Sequence, residues 1–522
     1  MVVLVGAGPG DPELFTPAGA KWLSRADVVI YDRLANPVLL RMCRPDAKLI
    51  SVGKTPGQPG PKQQEINDLL LEHGRGGGLV VRLKGGDPFI FGRGGEEADA
   101  LRAAGIPCRV VPGITAAVAA GAYAGIPLTD RRHASTLAFV TGQQDPDDPK
   151  THPDWAALAR IDTVVFYMGI KNLPEIVENL TNHGRAGLTP TAVVAAAATP
   201  RQKTVTAPLK DIVATVKAAG ITPPAITIVG NVVALRERIA WLEELPLFGQ
   251  TVLLTRPARQ ARPQLGGIVG GQAGELAGML SELGANVVEA PAVEIRPPAD
   301  TAALDAVLRR LETFSLVVFT SVNGVAAFVE RCRAAGLDGR ALGRAKVAAI
   351  GPATARALRE NFIQPDVMPE VFTTAALGEA LAAGGGLSGK GVLLWRADLG
   401  NPQFAEALRS AGATVEDVAC YHSVRPDALP AEAISALQEK TVNWIVFTSS
   451  STVTNFLSLL RQACGAEAVA GLLTEVKLAA IGPVTAQTLR EAGLAPAVVA
   501  AESTNAGLVH SIIDATGSKN AS

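Results

Sequence analysis

The sequence predicts an α/β protein in two unlike halves, and three observations point there. Short β-branched runs alternate with Ala-, Leu- and Glu-rich segments almost throughout, the pattern of strands and helices in a mostly parallel sheet protein. Two stretches of the second half are near copies of each other. Ala348-Ala349-Ile350-Gly351-Pro352-Ala353-Thr354-Ala355 recurs 131 residues on as Ala479-Ala480-Ile481-Gly482-Pro483-Val484-Thr485-Ala486. Val317-Val318-Phe319-Thr320-Ser321 recurs 128 residues on as Ile445-Val446-Phe447-Thr448-Ser449, and a weaker pair joins Val252–Arg256 to Val392–Arg396. Nothing before residue 246 takes part, so residues from about 250 onward form two related lobes and the rest is a separate unit. Finally, 522 residues are too many for one core, and three or four compact lobes are expected.

Composition narrows the function classes. The chain is 48% apolar but only 4% aromatic, which favours close helix-on-sheet packing over a core of large rings. A formal net charge of −1 implies no general attraction to nucleic acid or to an anionic membrane. The cysteines Cys43, Cys108, Cys332, Cys420 and Cys464 lie far apart and the histidines are scattered, so neither a disulfide framework nor a metal site is indicated and a reducing cytoplasm fits. Met1 runs straight into a strand-like Val2–Val5 with no basic region, unlike a signal peptide. The longest uncharged stretch, 110–129, holds Pro112, Gly113, Gly121, Gly125 and Pro127, which argues against a membrane helix.

In order along the first half, Val2–Val5, Val28–Tyr31, Leu79–Leu83, Arg109–Val111, Leu137–Thr141, Val164–Tyr167, Thr191–Ala195 and Ala225–Val229 read as strands. Helical stretches such as Gln64–His73 and Gly95–Ala104 lie between them. Pro112-Gly113 divides a lobe of about 1–112 from one of about 113–246, and the polar segment 145–154 reads as a loop. Residues 241–250, with Pro246 and Gly249, form a short linker, after which the strand–helix pattern restarts. The glycine-rich segments 266–274 and 384–386 read as loops.

Two glycine loops carry the chemistry of the first half. Val5-Gly6-Ala7-Gly8-Pro9-Gly10-Asp11 follows the first strand, where α/β sheets bind ligands and where glycine lets the backbone approach one closely. A dinucleotide fingerprint would need glycine at 11, and Pro9 removes a backbone donor, so a nicotinamide cofactor is disfavoured even though Asp32 follows the second strand as a ribose-binding acid would. The second loop, Arg82-Leu83-Lys84-Gly85-Gly86-Asp87-Pro88-Phe89-Ile90-Phe91-Gly92-Arg93, combines paired glycines, two phenylalanines and flanking arginines. A plain capped turn would not need that set, and a cleft wall for a flat or anionic ligand fits it better.

These loops, with Tyr31-Asp32-Arg33-Leu34, Val52-Gly53-Lys54, Val111-Pro112-Gly113-Ile114-Thr115-Ala116 and Phe166-Tyr167-Met168-Gly169, resemble uroporphyrinogen-III C-methyltransferase over about residues 1–245. The resemblance implies a two-lobed tetrapyrrole methylase fold over 1–246. It also implies methyl transfer from S-adenosylmethionine to C2 and C7 of uroporphyrinogen III, and a homodimer through this half. Position by position, it implies that Pro9, Gly85, Gly86, Asp87, Ile90, Thr115, Ala116, Met168 and Ala197 contact the cofactor. Asp32 would be the proton acceptor and Lys54 a proton donor, and Arg33, Arg82 and Arg93 would clamp the carboxylates of the substrate. The sequence departs from the family pattern at Gln143 of Thr141-Gly142-Gln143, at Gly60-Pro61-Lys62, where a histidine is usual, and at Ala197-Ala198, where Gly-Thr is usual.

In the second half, Thr255-Arg256-Pro257, Phe319–Gly324, Arg396-Ala397-Asp398, Tyr421-His422-Ser423 and Phe447–Ser451 carry polar clusters at strand ends. An N-cap explains one such cluster; several, with two Ile-Gly-Pro-x-Thr-Ala turns, imply helix N-termini gathered on one cleft, an arrangement suited to anions. This order resembles uroporphyrinogen-III synthase over about 249–516. The resemblance implies cofactor-free cyclisation of hydroxymethylbilane between two flavodoxin-like lobes, one of about 249–288 plus 424–516 and the other of about 289–423. It places Tyr421 as proton donor to the leaving oxygen and Thr354 and Thr485 at helix starts that hold carboxylates. The leading expectation is a bifunctional enzyme acting on small tetrapyrroles. A nicotinamide oxidoreductase, and a methyltransferase fused to a non-catalytic tetrapyrrole-binding pair of lobes, are the alternatives.

Overall fold

The computed structural model describes residues 1–53, 62–143, 152–256, 274–383, 386–398 and 402–517. Lys54, most of the 145–154 segment and almost all of the glycine-rich segment 266–274 lie outside them.

The first sheet contains β1 (Val2–Gly6), β2 (Val28–Tyr31), β3 (Lys48–Ser51), β4 (Val80–Lys84) and β5 (Cys108–Val111), in the order β3-β2-β4-β1-β5. All its pairings are parallel. Its central strands β1 and β4 are buried along their whole length, which is why Val2–Val5 is an unbroken apolar run rather than an alternating one. The helix Gln63–Arg75 turns Ile66 and Leu70 onto one face of this sheet, with Leu101 of Gly94–Ala103 beside them.

The second sheet corrects the expectation of parallel strands. It holds β6 (Leu137–Thr141), β7 (Thr163–Tyr167), β8 (Pro190–Ala195), β9 (Lys203–Pro208) and β10 (Ala225–Val229), ordered β6-β7-β10-β8-β9. Only β6 and β7 run parallel. The connection 196–202 is too short for a parallel crossover, so β8 and β9 form a hairpin.

The second half adds β11 (Thr251–Leu254), β12 (Asn286–Glu289), β13 (Glu294–Arg296), β14 (Leu316–Phe319), β15 (Lys346–Ala349), β16 (Gly391–Ala397), β17 (Thr414–Val424), β18 (Trp444–Phe447), β19 (Lys477–Ala480) and β20 (Val498–Val499). They make two sheets, β12-β11-β18-β19-β20 and β13-β17-β16-β14-β15. The internal repeat becomes geometric here. Ala479 pairs with Val498 beyond β19, and its counterpart Ala348 bridges in parallel to Val367 beyond β15. The two sheets therefore share one spatial order, while the chain enters them at different points: β11 and β12 open the first lobe, but their counterparts β16 and β17 close the second. β13 is the addition. It pairs antiparallel with β17 (Glu294↔Val424, Ile295↔Ser423, Arg296↔His422), so a two-stranded ribbon carries the chain between the lobes.

The 241–250 segment is not a free tether. Trp241 donates its Nε1–H to the Ala122 carbonyl at 3.0 Å and packs its ring at a tilt against Tyr123, while Glu243 accepts from Arg236 at 2.9 Å. Beyond Pro246, Leu247 is fully buried among Val252, Leu254, Leu276 and Leu280, and its N–H reaches the Leu283 carbonyl at 2.9 Å. The first half is thus tied down up to Glu243 and the second from Leu247. Arg41 also forks onto Glu289 across the two halves at 2.8 and 2.6 Å. No single helix among the described residues is long and apolar enough to cross a membrane.

Candidate functional site

At the carboxyl ends of β1, β4 and β5, three turns converge. Gly8 and Gly86 exchange backbone hydrogen bonds at 3.2 and 2.8 Å. A Cβ on Gly113 would lie 2.4 Å from the Gly86 carbonyl oxygen and 2.8 Å from the Gly6 Cα, so only glycine lets these turns meet. Asp87 locks the arrangement: one carboxylate oxygen accepts the Gly113 N–H at 3.0 Å and the other the Phe89 N–H at 2.8 Å.

The second lobe closes over this edge. The Phe91 ring lies 4.9 Å from that of Tyr167, whose hydroxyl meets Thr115 Oγ1 at 2.7 Å and the Ala117 N–H at 3.1 Å. Gly10 faces Thr199 and Ala197, and the Tyr123 hydroxyl donates to Asp11 at 2.6 Å. Burial and the Asp11 carboxylate both push the Tyr123 hydroxyl up from its ordinary pKa. Met168, Ala196 and Ala198, just past β7 and β8, take positive φ of 55°, 47° and 57°, strained values for residues with a side chain. Of the expected contacts, Gly86 and Asp87 lie where these turns meet, Thr115 is joined to Tyr167, and Ala197 faces Gly10. Phe89, Ile90, Phe91 and Met168 are exposed by 57, 37, 41 and 51%.

Asp32 sits just past β2, 31% exposed. One carboxylate oxygen accepts from Arg82 Nη2 at 2.5 Å and the other from the Gly85 N–H at 3.3 Å, which joins the acid to the second glycine loop. Arg33 is exposed beside it and packs against Gly53, so the β2 and β3 turns touch one residue short of Lys54. Arg93 is exposed and paired with Glu96 at 2.7 Å.

Arg82 does not fit the expected clamp. It is 2% exposed, and its donors reach Asp32, Glu97 at 3.2 Å and the Ile30 and Leu83 carbonyls. Its burial makes it the support of Asp32. Glu97, completely buried, also takes Lys84 at 2.8 Å and Gln63 at 3.3 Å on the same oxygen. Burial, with Arg82 alongside, lowers the Lys84 pKa. Nothing in the sequence signals this cluster beyond an acid in the first turn of the helix Gly94–Ala103.

In the second half the polar clusters cap helices as expected. Ser321 Oγ accepts the Gly324 N–H at 2.9 Å, and Ser449 Oγ the Thr452 N–H at 3.3 Å. Thr354 and Thr485 occupy the first turns of helices Pro352–Arg359 and Pro483–Glu491 and are each 4% exposed. Arg356 reaches Glu275 of the other lobe at 3.7 Å, bridging the facing edges. Tyr421, the expected proton donor, is 8% exposed and packs with Phe319 and Trp395; its hydroxyl lies 2.9 Å from Ser321 Oγ, and burial pushes its pKa up.

The tetrapyrrole (corrin/porphyrin) methylase family model matches residues 1–213, and the model of uroporphyrinogen-III synthase HemD matches residues 274–510. The porphyrin biosynthesis protein HemD of Ruminiclostridium josui is 35% identical over 460 residues, 88% of this chain and 89% of that protein. The uroporphyrinogen-III C-methyltransferase of Bacillus subtilis (strain 168) is 38% identical over 371 residues, covering 71% of this chain and 74% of that one. A solved structure, the uroporphyrin-III C-methyl transferase of Thermus thermophilus complexed with S-adenyl homocysteine, is 41% identical over 45% of this chain and 99% of its own, at a TM-score of 0.39. The chain belongs to the porphyrin-biosynthesis family in which a tetrapyrrole methylase is fused to a uroporphyrinogen-III synthase, and it is a bifunctional enzyme of tetrapyrrole synthesis.

Proposed function

We propose that the C-terminal half closes hydroxymethylbilane to uroporphyrinogen III and that the N-terminal half methylates this product at C2 and C7 to give precorrin-2. The observation that carries the methylation reading is Asp32, partly open and tied through Gly85 to the glycine loops. Bound in the crevice, S-adenosylmethionine supplies a methyl group already activated for transfer. The chain has then to orient and to manage a proton. The turns at Pro9, Gly85–Asp87, Ile90, Thr115-Ala116, Met168 and Ala197 hold the cofactor. Asp32 takes the proton that the alkylated pyrrole must lose. Arg33 and Arg93, both exposed, meet substrate carboxylates, and Lys54 acts as proton donor. In the synthase half, the helix starts bearing Thr354 and Thr485 orient acetate and propionate groups. Two units at 1–246 and 249–516, a homodimer through the first and residence in the cytoplasm complete the reading.

Incubation with hydroxymethylbilane and S-adenosylmethionine, followed by product identification, tests it. Precorrin-2 is expected. Methylation of supplied uroporphyrinogen III but not of hydroxymethylbilane would remove the synthase reading, and unmethylated uroporphyrinogen III as the end product would remove the methyltransferase reading.

A further inference from the structure

The cation that holds Asp32 is itself shared. Arg82 Nη2 meets Asp32 at 2.5 Å while its Nε reaches Glu97 Oε1 at 3.2 Å, and Lys84 Nζ closes on that same oxygen at 2.8 Å. Asp32, Arg82, Glu97 and Lys84 thus form a row of alternating charge, in which only the Asp32 end is open to solvent. Lys84 ends β4 and Glu97 lies in the first turn of the helix Gly94–Ala103, so this pair clasps the second glycine loop from both sides. Glu97 Oε2 is buried and has no hydrogen-bond partner among the described residues. A carboxylate in that state acts on its neighbours at a dielectric far below that of water. Burial and then Arg82 lower the Lys84 pKa, while Glu97 and Asp32 act to raise it. Such an interaction is mutual: a cation stabilised by the charge on Asp32 stabilises that charge in turn. The other charged groups about the row, Arg33 beside Asp32 and the Arg93–Glu96 pair, are exposed and screened by water. Gln63 is neutral, and burial holds the Cys108 thiol above its ordinary pKa.

We propose that Lys84 and Glu97 are positioning residues of the methylation site, a buried pair that acts through Arg82 to set how readily Asp32 takes the proton; this rests on the reading of Asp32 as proton acceptor. The proton lost by the alkylated pyrrole passes to the Asp32 carboxylate. Its bonding pair stays with the substrate and neutralises the charge gained on alkylation. Arg82 keeps all its protons, and none passes to Glu97 or Lys84. With all four groups charged the row is neutral. Without Lys84 it carries one net negative charge, so Asp32 holds a proton to higher pH. Without Glu97 it carries one net positive charge, and Asp32 is the weaker base. Methylation needs the ionised carboxylate, so the pH below which the rate falls moves up in the first case and down in the second.

The test follows single-turnover methylation of supplied uroporphyrinogen III by the full chain against pH, with S-adenosylhomocysteine affinity as the measure of folding in this half. In Lys84→Met the acid limb should move up by about one pH unit, the low end for loss of a nearby opposite charge, with KM little changed. Lys84→Met with Glu97→Gln restores neutrality and should return the limb to its wild-type place. A structural role would lower the rate at every pH, leave the limb where it was and make the double variant the worse of the two. An unmoved limb in Lys84→Met, or the same displacement in the double variant, would overturn the proposal. So would a loss of S-adenosylhomocysteine binding in Lys84→Met that the double variant does not repair. Wild-type methylation in Asp32→Asn would instead overturn the reading of Asp32, and the proposal with it.

Discussion

Arg82 holds Asp32 by a 2.5 Å contact from inside the protein: the guanidinium is 2% exposed while the carboxylate it orients is 31% exposed. One end of the pair is core and the other is crevice. Arg82→Met should therefore act first on stability. It strips the cation from Asp32 and leaves the completely buried Glu97 with Lys84 and the neutral Gln63, and breaking a buried pair costs about 3–5 kcal/mol. Denaturant unfolding of the first half should show that loss. A variant of unchanged stability with only a raised KM for uroporphyrinogen III would return Arg82 to the role of a substrate clamp.

Asp32→Asn separates chemistry from binding. The amide keeps the size of the carboxylate and can still accept from Gly85. Affinity for S-adenosylhomocysteine should stay near wild type while single-turnover methylation falls by about 10²–10⁴-fold, the usual worth of a general base. Retained S-adenosylhomocysteine affinity is the folding control for this half. Methylation at the wild-type rate would take Asp32 out of the mechanism.

The glycine turns predict a binding defect without a chemical one. A methyl at position 113 would sit 2.4 Å from the Gly86 carbonyl oxygen. Gly113→Ala must push the second glycine loop away from the third, an overpacking cost of about 1–3 kcal/mol. Calorimetry should show weakened S-adenosylhomocysteine binding in the variant, and wild type should bind that ligand and ignore NAD. NAD binding without an S-adenosylhomocysteine signal would revive the nicotinamide reading.

What the sequence made legible follows from how each feature is encoded. Val2–Val5 and Val317–Phe319 are apolar runs that only a covered parallel strand explains, and both are fully buried. The glycine loops announced a close backbone approach, and Gly6, Gly86 and Gly113 supply it. The hairpin β8–β9 was missed because Lys203–Pro208 mixes polar and apolar residues on an edge strand and offers no strong apolar signal. Arg82 was misplaced because a charged residue beside paired glycines reads as surface; nothing local reveals that Glu97 and Asp32 wait to neutralise it.

Tyr421→Phe tests the proton donor expected at the synthase site. Its hydroxyl contacts Ser321 Oγ at 2.9 Å in a nearly closed setting, and Ser321 in turn caps the helix Val322–Ala334. Removing the hydroxyl should cost about 1 kcal/mol of stability, the net worth of a typical hydrogen bond. If Tyr421 is the proton donor, kcat for isomer III formation should fall by about 10²-fold or more, the scale of a lost general acid, and a loss of only a few-fold would take it out of that role.

The last prediction concerns where the chain can be divided. A boundary at 249 follows from the repeat, yet Leu247 is fully buried with Val252, Leu254 and Leu280, and Gly284 abuts Leu245 and Phe248. The residues before 249 are thus part of the synthase core. Loss of a buried leucine to alanine costs about 2–5 kcal/mol, a large share of the stability of an ordinary domain. A 249–522 fragment loses the whole side chain, together with the Leu247 N–H bond to the Leu283 carbonyl. A 244–522 fragment keeps both and breaks the chain just after Glu243, the last residue tied to Arg236. The longer fragment should unfold at higher denaturant than the shorter and make uroporphyrinogen III at the rate of the full chain, and Leu247→Ala in the full chain should destabilise the synthase half and spare the methyltransferase. Equal stability of the two fragments would show that Leu247 is dispensable. Failure of the longer fragment while the full chain works would mean that the Arg41–Glu289 contact, which spans the halves, is needed to hold the synthase together.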